Sequence, residues 1–124
     1  MVESALFTVL STSAAVSALA GTRIYPSVLP KGPTLPALVY RFVTSVAQPT
    51  MDTRGMARAR VEFDCFGETY SDAVNLRSAV VQTLAGYKDA NITSQVFNPT
   101  ADDGFDQDLL QYVAICEAYV WAAV

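Results

Sequence analysis

Residues 57–66 read ARARVEFDCF. Arg58, Arg60, Glu62 and Asp64 fall on one parity, and Ala59, Val61, Phe63 and Cys65 on the other. A period of two sends successive side chains to opposite faces of an extended chain. The stretch therefore predicts a strand with one apolar face against a core and one charged face turned away from it. One-sided strands of this kind belong to antiparallel sheets, since parallel sheets are covered on both faces.

Residues 37–46 alternate in the same way, with Leu38, Tyr40, Phe42 and Val46 on one face and Arg41 and Ser45 on the other. Between the two strands, residues 47–56 (AQPTMDTRGM) are polar and contain Pro49 and Gly55, which predicts a hairpin loop. Residues 23–36 carry Pro26, Pro30, Pro33 and Pro36. Proline lacks the ladder N–H, so this piece reads as an extended connector or a sheet edge. At the start of the chain, Val2, Leu6, Val9 and Leu10 mark one helical face. Ser13 is placed to cap a short second helix over residues 14–20, and Gly21 to end it.

Downstream, Thr69 caps a main helix that runs to Ala85, with Asp72 in its first turn. Ala73, Leu76, Val80 and Leu84 form its buried stripe, and Gly86 follows its end. Residues 91–97 predict a short strand, 98–108 an acidic loop, and 109–121 a long closing strand. Tyr112, Ala114, Cys116, Ala118 and Val120 share one face of that last strand. The expectation is a single α+β domain over residues 1–124. It has an antiparallel sheet of about four main strands, with a broken N-terminal helix and a central helix packed on one face.

Composition narrows the function. Of 124 residues, 52% are apolar and only 16% are charged, where ~25% charged is usual. The apolar content suffices for a core, and the charge deficit points to surface covered by partners. Eight Lys+Arg against twelve Asp+Glu give a net charge of −4, the wrong sign for a general nucleic-acid binder. The absence of histidine removes His-based triads, His metal sites and His proton shuttles. Cys65 and Cys116 fit no zinc or CxxC spacing. Each lies in an apolar strand-like run, so buried free thiols are expected, with a single disulfide as the alternative. Ala18-Leu19-Ala20 has the look of a cleavage site, but Glu3 and the lack of Lys or Arg before Arg23 speak against a signal peptide. No apolar run reaches the ~18–20 residues of a membrane span.

Asp102, Asp103, Asp106 and Asp108 invite a calcium reading. The EF-hand pattern counted from Asp102 fails, because Gly104 takes the third position and Val113 the twelfth. A solvated loop is expected there, with a loose divalent site as the alternative, and no metal or cofactor is predicted. Arg54, Arg58 and Arg60 form a basic cluster. Glu62 and Asp64 beside them favour ion pairing, across strands or between subunits, over phosphate contact. With no nucleophile elbow, no phosphate loop and no histidine, no catalytic residue is assigned and an enzyme is not expected.

Several local patterns in order carry a family resemblance. They are SAAVSALAGTRIYPSVLP at 13–30, LPALVYRFV at 35–43 and ARARVEFDCFGETYSDA at 57–73, then a helix ending in LAGY at 84–87 and a closing strand with Tyr119 and Trp121. The chain resembles the small tail-completion proteins of long-tailed bacteriophages and prophages, the group related to tail terminators and head–tail joining proteins. The resemblance implies a structural virion protein assembled in the host cytoplasm. It implies a homo-oligomeric ring, commonly a hexamer, at the head-proximal end of the tail tube. Such a ring stops tube polymerisation and offers a surface to the head–tail connector and neck proteins. DNA passes through the lumen without specific binding, and an acidic excess fits that passage. In this frame Arg58, Arg60, Glu62 and Asp64 are expected at a subunit contact. Asp52 and Arg54 in one loop, and Asp102, Asp103 and Asp106 in the other, are expected at partners or the lumen. Two rival readings are a small-ligand-binding α+β domain with a deep closed pocket, and another neck, adaptor or minor virion protein of similar size.

Overall fold

The computed structural model describes residues 2–27, 34–48, 56–88, 92–106 and 111–123. Two N-terminal helices, α1 (Val2–Thr12) and α2 (Ala14–Ala20), precede β1 (Ile24–Pro26), β2 (Ala37–Gln48) and β3 (Met56–Gly67). The helix α3 (Tyr70–Leu84) follows, and then β4 (Ile92–Asp106) and β5 (Gln111–Ala123). The strands form one sheet in the order β1-β2-β3-β5-β4. Every neighbouring pair is antiparallel except β1 with β2. The α+β expectation is met, with a fifth strand: residues 24–26 of the proline-rich connector pair in parallel with Leu38, Val39 and Tyr40. Pro26 sits there on a sheet edge, where a missing N–H costs no ladder bond.

Local chemistry places the helices. Ser13 caps α2 by accepting a hydrogen bond from the Val16 N–H at 3.4 Å, and its hydroxyl meets the Thr83 hydroxyl of α3 at 2.8 Å. Thr69 caps α3 by accepting from the Asp72 N–H at 3.1 Å. Gly21 follows α2 with φ +59°, a backbone that L side chains rarely adopt. Gly67 serves another need: a Cβ there would stand 2.6 Å from the Ala73 nitrogen. Only glycine lets the end of β3 turn this tightly into α3.

The core lies between one sheet face and all three helices. Leu6 and Leu10 of α1, Val16 of α2, and Leu76, Val80 and Leu84 of α3 are all completely buried. They join one cluster with Ala59, Val61, Phe63 and Cys65 of β3 and Ala114, Cys116, Ala118 and Val120 of β5. The parity of residues 57–66 thus decides which side of the sheet the helices take. Both cysteines are free and buried. Burial pushes the Cys65 thiol well up and the Cys116 thiol up to about 12, so neither is a ready thiolate.

Two expectations need correction. Residues 98–108 are not a hairpin loop throughout: β4 continues to Asp106, pairing Asp102, Asp103 and Asp106 with Ile115, Ala114 and Gln111. The register slips between Val96 and Asn98 and again between Asn98 and Asp102, around Pro99. An edge strand tolerates a proline, bulges and charges that an inner strand would not, and these erase the alternation on which a sequence reading depends. In β2, a register shift between Phe42 and Thr44 sets Val46 opposite Arg58, out of the row of Leu38 and Tyr40. Asp52 and Arg54 lie outside the described residues.

Candidate assembly surface

The face of the sheet turned away from the helices is a woven layer of arginine, carboxylate and aromatic groups. The alternation of β3 delivers Arg58, Arg60, Glu62 and Asp64 to it. Registration adds Arg41 from β2, opposite Glu62, and Glu117, Tyr119 and Trp121 from β5. Arg41 reaches Glu62 at 2.9 Å and also pairs with Asp64. Arg60 holds Glu117 with two donors, Nη2 at 2.6 Å and Nε at 3.0 Å. The Asn98 amide donates to the other Glu117 oxygen at 3.4 Å. The long guanidinium stems lie across the acids, so Asp64 and Glu117 are buried on a face that carries no helix.

The electrostatics follow from that burial. The Glu62 carboxyl is raised above its ordinary 4.5, first by desolvation, then by its hydrogen bond to Asp64. Arg60 is raised chiefly by its hydrogen bond to Glu117. Three of the four residues expected at a subunit contact, Arg60, Glu62 and Asp64, are therefore paired within the chain. Arg58 differs. Its guanidinium lies over the Tyr119 ring at 4.7 Å, and among the described residues it has no carboxylate partner.

Aromatic rings extend the surface around Arg58. Phe97 stacks on Tyr119 with centroids 4.4 Å apart and planes 22° from parallel. Trp121 lies beside Tyr119 at 5.9 Å, and Arg60 sits over Phe97 at 5.5 Å. A second group occupies the other end of the sheet. Tyr112 meets Phe105 at 4.8 Å and Tyr70 at 6.2 Å, both edge to face. Tyr70 and Phe105 are 53% and 44% exposed, unusual for two neighbouring rings on an isolated subunit.

Tyr119 and Trp121 are visible in the sequence as the aromatic end of the closing strand. Phe97, Phe105, Tyr70, Arg41 and Glu117 were missed. Each belongs to a different element from its partners, and only strand register brings them together. A recess of about 240 Å³ lies beside α3, lined by Arg77, Ser78, Val81, Gln82 and Pro99. Ser78, Gln82 and Pro99 are exposed, so it is open to solvent and unlike the deep closed pocket that a small-ligand domain needs.

Comparison with known proteins agrees with this arrangement. No curated protein matches the chain. A chain in the solved structure titled "Virion of native gene transfer agent (GTA) particle" superposes with a TM-score of 0.64, covering 96% of this chain and 92% of that one. At 15% identity that likeness speaks for the fold alone. The family model described as "Tail completion protein gp17" matches residues 4–120, from α1 through nearly all of β5. With a match along almost its full length, the chain belongs to the tail completion protein gp17 family, structural proteins of the phage tail.

Proposed function

We propose that the protein forms a closed ring of six subunits at the head-proximal end of a phage tail tube. There it ends tube polymerisation and joins the tail to the head connector. The family match over residues 4–120 carries this reading. The make-up of the surface supports it: only 16% of residues are charged, and exposed aromatic rings stand at both ends of the sheet. In a ring each subunit contributes two different faces, and both leave water.

Each group has a place in this reading. The outer face bearing Arg58, Arg60, Glu62 and Asp64 takes part in the subunit contact. Arg60, Glu62 and Asp64 hold that face in shape, and Arg58 is presented to the neighbour. Asp52 and Arg54 meet the tail-tube protein, the neck or the lumen, and Asp102, Asp103 and Asp106 lie at a partner contact. The net charge of −4 lets DNA slide past without adhering. The role is structural and uses no catalytic step.

Complementation tests it. Extracts lacking this protein should accumulate tails of irregular or excessive length that do not join filled heads, and added purified protein should restore joining. Tails of normal length that join heads in its absence would remove the terminator role.

A further inference from the structure

The two aromatic groups lie at opposite ends of the sheet and carry opposite charge. At one end, β3 begins near Arg58, which pairs in register with Trp121. At the other, Gly67 pairs with Tyr112, and Tyr112 with Phe105. Gly67 lies nine positions beyond Arg58 along β3, a span of ~30 Å at the usual rise per residue. The groups also differ in face. Arg58, Tyr119 and Trp121 share the outer face, whereas Tyr112 packs against the core on the helix side.

Charge is distributed with the same polarity. Five of the twelve acids, Glu68, Asp72, Asp102, Asp103 and Asp106, belong to the segments that meet at the Gly67 end. No Lys or Arg occurs in residues 61–76 or 97–115, which build that end. Arg23 lies toward the same end but on the far edge, where it donates to the Pro36 and Leu19 carbonyls. At the opposite end Arg58 has no acid partner among the described residues, and it lies over Tyr119, on which Phe97 stacks and beside which Trp121 stands. Arginine and large aromatic rings are the groups that dominate interface energetics.

We propose that these two patches are the halves of one head-to-tail contact between copies of this chain. The Arg58–Phe97–Tyr119–Trp121 end of one subunit docks on the Glu68–Tyr70–Phe105–Tyr112 end of the next. The inference rests on the ring reading and names the surfaces that build it. Two unlike patches on one subunit make a heterologous contact, which closes into a ring when its rotation does so. Charge complementarity selects the orientation, because two like ends would set arginine against arginine or acid against acid.

A charge swap tests the contact. Arg58→Glu and Glu68→Arg are made singly and together, and assembly is read by native mass spectrometry of the protein alone and on purified tails. Each single variant should lose at least tenfold in assembled fraction while its circular dichroism matches the wild type. The double variant should reassemble. So should an equal mixture of the two single variants, since each reversed charge then meets an opposite one across every contact. Wild-type fluorescence gives a second readout that needs no variant to fold. Trp121 is the sole tryptophan, and its emission should move to shorter wavelength on assembly. If the wild type forms rings and both single variants do too, or if Trp121 emission does not move, this contact is wrong and the ring survives. If the wild type stays monomeric both in solution and on tails, the ring itself fails and this contact with it.

Discussion

Arg58 and Arg60 sit two residues apart on one face of β3, yet losing them has different consequences. Arg60 compensates Glu117, whose side chain is only 10% exposed. Among the described residues, Arg60→Ala leaves that carboxylate with the Asn98 amide alone, and an uncompensated buried charge destabilises the fold. Arg60→Ala should therefore lower the urea midpoint of the subunit, and Arg58→Ala should barely move it. A midpoint that Arg60→Ala leaves unmoved would mean that the Arg60–Glu117 pair contributes nothing to the fold. Reversing both charges at once would confuse a folding defect with an assembly defect, so Arg58 is the better single probe. Glu62 gives a pH signature. Its carboxyl is raised above 4.5 in the folded chain, so the folded state holds that proton more tightly than the unfolded state. The resulting stability is fully present below the unfolded pKa and is lost as pH rises through the folded one. Urea unfolding at a series of pH values should show the wild type losing stability over the window just above 4.5, relative to Glu62→Gln. The same slope in both proteins would assign it to other groups. The charged alternation of residues 57–66 announced this face in the sequence. The identity of each pair did not follow, because Arg41 and Glu117 come from strands whose register only the folded sheet sets.

The elements were legible wherever periodicity was unbroken and capping residues were present. Helix α3 runs from its Thr69 cap to Leu84, and β3 keeps the parity of its sequence throughout. Reading failed where an edge strand gave up alternation, around Pro99 in β4, and where one extra residue in β2 shifted its row. Residues 24–26 of the proline-rich stretch, read as a connector or a sheet edge, form the edge strand β1, and only their parallel pairing with β2 was not legible. The β3–α3 junction offers a direct test of element packing. Gly67→Ala places a methyl group 2.6 Å from the Ala73 nitrogen and 2.8 Å from the Asp72 Cβ. Backbone and a short side chain must move to admit it, at a cost of about 1–3 kcal/mol. Thermal unfolding should show a clear fall in midpoint. An unchanged midpoint would mean that the turn has slack that the geometry denies.

At the scale of the molecule, the chain is polar in the electrical sense, with Arg58, which has no carboxylate partner among the described residues, at one end of the sheet and five of the twelve acids at the other. The proposed contact between such ends draws on surface charges, which salt screens over about 10 Å at 0.1 M and about 3 Å at 1 M. Raising salt across that range should reduce the assembled fraction seen by sedimentation while the subunit's circular dichroism stays constant. An assembled fraction indifferent to salt would leave the aromatic rings as the whole of the contact. Composition hinted at covered surface, but the two patches were not legible, since Tyr70, Phe105 and Tyr112 come from three separate elements. Sheet topology carries one more consequence. β5 is the last of the described strands, yet it stands between β3 and β4. During synthesis β4 emerges from the ribosome before the neighbour that will anchor it exists. A chain interrupted ahead of residue 111 can offer neither a closed sheet nor Tyr112, Tyr119 and Trp121.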